Sequence, residues 1–163
     1  MKVITREIEH ALDAGLYYLA LVSTLTLPDI CSALEAPDGE TSGPLYKKWC
    51  GTWLESYPFG PEDFSYSYPK GIGEDLYYLR CGVVHQGRLG HHKSQYSRVL
   101  FTVPNTAQIT LHLGEINDAL NLDIMSFCHD MINATLRWYT AQQDNAHVKV
   151  NLPRLVQYRE GLT

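Results

Sequence analysis

A chain of 163 residues with a formal net charge of −5 has the size of one ordinary domain. Hydrophobic residues at 45% and charged residues at 19% exclude a disordered chain or a collagen-like repeat. The longest wholly apolar run, residues 16–22, is far shorter than a membrane span, and Glu7 and Glu9 interrupt any secretory core. A single cytoplasmic domain over 1–163 with no membrane partner is expected. Cys31, Cys50, Cys81 and Cys128 form no C-x-x-C pair, so they read as reduced thiols, mostly buried.

The first predicted element is a helix over about 5–26, where Ile8, Leu12, Leu16, Leu19 and Val22 recur at helical spacing. Leu27-Pro28 is expected to break it, with Pro28 opening a short helix that carries Ile30, Cys31 and Leu34. Residues 36–43 read as a turn-rich loop. Pro44 starts a second helix, with Tyr46, Trp49, Trp53 and Tyr57 along a core-facing stripe. Residues 57–73 are rich in Pro, Gly and Tyr and read as a long loop.

A helix over 74–86 follows, with acids in its first turn and Gly87 just past its end. The period then changes to two. Val99, Phe101 and Val103, then Ile109, Leu111 and Leu113, predict a β-hairpin over about 98–113 that turns at Pro104-Asn105-Thr106. The last long helix is expected over about 122–142, capped by Asn121; the tail from Asn145 reads ambiguously, a short helix over 153–160 being one option. The fold class is therefore mainly α, a helical bundle with one inserted hairpin.

Charge is distributed unevenly. From 76 to 114 there is no Asp or Glu, while Arg80, Arg88, Lys93 and Arg98 lie there with His85, His91, His92 and His112. An acid-free basic segment in an acidic chain marks a site for phosphate or another anion. Within it, Arg80 offers a permanent cationic fork for phosphate oxygens and His85 a group that exchanges a proton near neutral pH. Together they would suffice for RNA cleavage without metal: His85 would take the ribose 2′-hydroxyl proton and Arg80 would hold charge on phosphorus. Five residues apart, their side chains diverge by about 140° on an ideal helix. They converge only if the helix ends near His85 or if two protomers set their helices side by side.

An R-x4-H motif near the end of a late helix resembles the HEPN superfamily, whose signature is an arginine four to six residues before a histidine. The strings LPDICSALE and YYLRCGVVHQG are similar to those of bacterial HEPN-like proteins. Cys81 departs from the polar residue that often follows the arginine in that family. The resemblance implies a HEPN-like bundle and a homodimer whose two motifs share a cleft. It implies a metal-independent endoribonuclease, without cofactor, in a toxin or phage-defence role, with Arg80 and His85 as the catalytic pair. A nucleotidyltransferase-like antitoxin would be a partner. The alternative is a non-catalytic module that binds RNA or nucleotide or docks a protein. Arg88, Lys93 and Arg98 are nominated by charge alone as phosphate-positioning residues.

Structural roles compete with these. Arg80 is equally able to pair with Glu74 or Asp75, and His85 to serve as a helix C-terminal cation. Cys81 and His85, four apart, share a helix face but lack a third ligand. His91-His92 has no nearby carboxylate, Cys128-His129 sits on a long amphipathic helix with the cysteine in the core and the histidine on its flank, and Gly71-Ile72-Gly73 lacks the third glycine of a dinucleotide fingerprint.

Overall fold

Two helices, not one, carry the apolar spacing from Ile8 to Val22 in the computed structural model, which describes residues 1–89, 92–106 and 111–156. Helix α1 (Lys2–Asp13) stops at Gly15, whose φ of 71° is left-handed, and α2 (Tyr17–Glu35) starts afresh. The Gly15 and Leu16 N–H groups close the first helix onto Leu12 and Ala11 carbonyls. The redirected chain leaves Leu16 and Leu19 on the surface, 51% and 55% exposed.

Pro28 lies inside α2 and does not end it. An interior proline forfeits one helical hydrogen bond and costs about 3 kcal/mol. Here Leu25, Leu27 and Cys31 are wholly buried around it. The packing of α2 on the last long helix outweighs the local penalty.

The Ser42 side chain accepts the Leu45 N–H and caps α3 (Gly43–Trp53), where Pro44 occupies the first turn. Tyr46, Trp49 and Trp53 are buried along its inner face, and the Tyr46 hydroxyl donates to the Leu25 carbonyl across the core. Tyr57 falls beyond the helix. Helix α4 (Ile72–Gln86) begins two residues earlier than the sequence predicts. Gly73 makes its close approach to α3 possible, since a Cβ there would lie 2.9 Å from both the Lys47 carbonyl and Cys50 Cβ. Gly87, at φ 62°, ends α4: its N–H returns to the Val83 carbonyl and that of Arg88 to the Gly82 carbonyl.

The predicted hairpin over 98–113 is replaced by a different sheet. Strand β1 (Arg98–Thr102) forms, but its partner is β3 (Ala119–Asp123), which runs parallel to it from Arg98↔Ala119 to Thr102↔Asp123. The third strand, β2 (Gly114–Ile116), pairs antiparallel with β3 through a two-residue turn at Asn117-Asp118, both left-handed. Ile109 lies outside the described residues, while Leu111 and Leu113 belong to no strand and Leu113 has a positive φ. The alternation seen in the sequence is real at Val99, which is buried. It cannot say which strand pairs with which.

Asp123 caps α5 (Ile124–Gln142) in place of the expected Asn121, accepting from both the N–H and the hydroxyl of Ser126. A short α6 (Ala146–Asn151) and one 3-10 turn over Leu152–Arg154 follow. Of the optional helix over 153–160, Pro153 and Arg154 lie in this 3-10 turn, and 157–160 lie outside the described residues. The protein is mainly helical with a small three-stranded sheet, and its core is built by α2, α3, α4 and α5.

A buried polar knot fastens the long loop after α3. Tyr66 and Tyr68 hydroxyls both donate to Asp130 Oδ2 on α5, at 2.9 and 3.0 Å, and His112 Nε2 lies 3.3 Å from the same oxygen. His112 Nδ1 accepts the Asp123 backbone N–H, so the knot also reaches the end of the sheet. Among the described residues α2 is the one helix long and apolar enough to cross a membrane. Half of its most apolar window is buried in the protein, as in a core helix.

Candidate active site

Arg80 and His85 meet within one chain. Arg80 extends from the middle of α4 toward its C-terminal end, and His85 sits in the last turn before Gly87, so the long arginine spans the angular gap. Its Nη1 lies 2.9 Å from His85 Nε2. Arginine has only donors, so Nε2 is the acceptor and the ring proton resides on Nδ1. Of the two routes to convergence that the spacing allows, the helix end achieves it, and the contact needs no second protomer.

The third member is Asp29 on α2, whose Oδ2 accepts the Arg80 Nε–H at 2.7 Å. Neither Glu74 nor Asp75 takes that role. Glu74 pairs with Lys47, and Asp75 accepts from the Ser94 hydroxyl and from the backbone and side-chain amides of Gln95. The sequence carries one signal for Asp29: it is the single charge between Asp13 and Glu35. A lone carboxylate on a core helix requires a cation or several donors. It was not among the residues nominated from the sequence.

The three side chains form a gradient from interior to solvent. Asp29 is only 9% exposed, Arg80 is half-buried and His85 is exposed. Burial pushes the Asp29 pKa up, against the opposing pull of the Arg80 charge and hydrogen bond. Burial alone would lower the Arg80 pKa. The Asp29 charge and hydrogen bond outweigh this and raise it. The guanidinium is thus a permanent cation, anchored at Nε and presenting its far end to His85. Such a unit binds a phosphate oxygen and sets a proton acceptor beside it.

The charge-nominated residues lie elsewhere. Arg88 and Arg98 are exposed and make no side-chain bond to Arg80 or His85. Lys93 borders a separate depression with Lys70, Glu74 and Asp75, at the opposite end of α4 from His85. Cys81 is half-buried, and its charge is the largest cause that raises the pKa of the neighbouring Tyr77. Among the described residues no group of three or more His, Cys, Asp or Glu side chains is arranged to hold a metal ion. His91 lies outside them.

Comparison with known proteins finds no matching family model, no similar curated protein and no similar solved structure.

Proposed function

We propose that the protein is a HEPN-type endoribonuclease that cleaves RNA by metal-independent acid–base transesterification in a toxin or phage-defence role. The observation that supports this reading is the Arg80–His85 contact at 2.9 Å, anchored from behind by Asp29. In the free protein His85 Nε2 is occupied by Arg80. An RNA phosphate would draw the guanidinium to its own oxygens and release that lone pair. Nε2 would then take the 2′-hydroxyl proton as the 2′-oxygen bonds to phosphorus. The P–O5′ bond breaks, leaving a 2′,3′-cyclic phosphate, and the departing 5′-oxygen takes up a proton. In a homodimer the second protomer's His85 would supply that proton. A nucleotidyltransferase-like antitoxin would act by covering the exposed imidazole.

The second reading is a non-catalytic module that binds RNA or nucleotide. Cys81 in place of a polar neighbour and the net charge of −5 favour it. RNA cleavage in EDTA by wild type, His85→Ala and Arg80→Ala separates the two, each variant first shown to keep wild-type folding. Loss of a general acid–base group lowers the rate by about 10²–10⁴-fold. Chelation-resistant cleavage with cyclic-phosphate ends, lost in both variants, establishes the enzyme. Binding of RNA without cleavage, weakened in Arg80→Ala, establishes the binding module.

A further inference from the structure

Asp29 faces two ways. Its Oδ2 holds Arg80, and Asp29 also lines a pocket of about 360 Å³ on the surface of α2, a volume ample for one nucleobase. Ile30, Ala33, Leu34 and Leu155 form apolar walls, and Arg154 stands at the rim. Asp29 Oδ1 makes no hydrogen bond among the described residues. Among the described residues Arg154 hydrogen-bonds only through Nη1, to the Asp38 carbonyl and Asn151 Oδ1. The remaining polar atoms are committed: Asn151 Nδ2 donates to the Leu34 and Ala36 carbonyls, and Thr41 bonds Ser32. Gly39, at φ 76°, keeps the rim this close, because a Cβ there would collide with Arg154 Nη1.

A pocket so equipped selects its occupant by chemistry. A carboxylate on one wall repels a phosphate and calls for N–H donors. A guanidinium at the rim calls for an acceptor, and the apolar walls call for a flat, neutral body. Guanine is the base whose Watson–Crick edge sets two adjacent N–H donors, N1 and N2, beside the O6 acceptor. Adenine and cytosine each offer one amino group next to an acceptor, and uracil flanks a single N–H with two carbonyls. We propose that this pocket is a guanine-reading subsite, with Asp29 accepting from the base edge and Arg154 donating to its acceptor atoms. The assignment rests on the RNA reading above. It adds a specificity device: one aspartate both reads the base and positions the arginine that meets the phosphate.

The test titrates the intact protein with GMP, IMP and AMP, followed by calorimetry or NMR. The three share ribose and phosphate, so differences between them report the base. Inosine lacks the N2 amine, so IMP should bind about tenfold more weakly than GMP, and AMP more weakly still. Arg154→Ala, a surface change, should weaken GMP at least about tenfold with an unaltered melting temperature. Ala33→Phe, which fills the pocket, should do the same. Equal affinity for all three nucleotides, no binding of GMP at millimolar concentration, or GMP binding untouched by both variants would overturn the subsite. Preferential GMP binding by a protein that cleaves no RNA would retain the subsite and sink the nuclease. Cleavage indifferent to guanine, with no GMP binding, would do the reverse.

Discussion

Arg80 Nε and Asp29 Oδ2 lie 2.7 Å apart across 51 positions of sequence, and this bond makes one unit of α2 and α4 at the surface where His85 emerges. A carboxylate is costly to bury, yet here its burial is matched to a cation whose far end reaches His85. The arrangement orients a guanidinium more than it stabilises a fold.

Asp29→Asn tests that distinction. If the proposed nuclease activity is measured, the loss of the anchor should lower kcat by about 10–100-fold, with KM moving less, because the arginine is misplaced and not removed. The pH dependence of stability gives a second readout. The folded-state pKa of Asp29 lies above its ordinary value of 3.8 because of burial. The carboxyl therefore favours the folded state most below that value, and its contribution is lost as pH rises through the raised pKa. Asparagine does not titrate. Denaturation midpoints should show the variant gaining on wild type as pH rises above about 4, where an anchor serving stability would show it falling behind.

The thiols should divide one to three. Cys31, Cys50 and Cys128 are buried, and burial pushes Cys128 up to about 11 and the other two well above the ordinary thiol range. Cys81 is the only half-exposed member of the four. A chromogenic disulfide reagent at neutral pH should label one cysteine in the native protein, protected by Cys81→Ser, and the remaining three only after unfolding.

Two glycines of α4 should fail for different reasons. Gly73→Ala drives a Cβ against the Lys47 carbonyl and Cys50 Cβ, so α4 must move off α3. A loss of about 1–3 kcal/mol is expected, with a parallel loss of function because α4 carries Arg80 and His85. Gly87→Ala meets no atom within 4 Å and is strained only by its left-handed backbone, costing about 1 kcal/mol. Denaturant titration of the two variants beside wild type gives the ordering.

Asp130→Ala should be the most damaging of these changes. It leaves two buried tyrosine hydroxyls without their acceptor and removes the carboxylate beside His112, so about 2–5 kcal/mol of stability should go. Asp130→Asn can keep a carbonyl oxygen at the Oδ2 position for both tyrosines while losing the charge, and should cost roughly half as much. Urea denaturation followed by tyrosine and tryptophan fluorescence measures both.

How much of this was legible in the residues depends on the range of the interaction. Helices α3, α4 and α5 repeat their apolar positions over three turns or more, and Ser42, Gly87 and the acids of α4 punctuate them, so local chemistry alone places them. Leu16 and Leu19 continued the same rhythm past Gly15, and nothing in the spacing revealed that the chain turns there. Pro28 read as a stop because its cost is local, whereas the packing that overrides it comes from α5, a hundred residues away. Alternation marked β1 correctly. The two-residue turn at Asn117-Asp118 carries a weaker local signal than the proline turn at 104, and a parallel pairing with β3 leaves no trace in either strand.

The candidate site divides the same way. Arg80 and His85 were visible as a motif because spacing along one helix is a sequence property. Their convergence depended on the helix ending where Gly87 ends it, which the sequence also suggests. Asp29 was not visible as their partner, since a lone aspartate announces only that it needs a cation and not which one. By itself the sequence determined the course of α3, α4 and α5 and which groups carry charge, because capping and periodicity act over a few residues. Only the tertiary structure decided that Asp29 reaches Arg80, and that its other oxygen is left for the pocket beside it, because those contacts exist only once α2 is packed against α4.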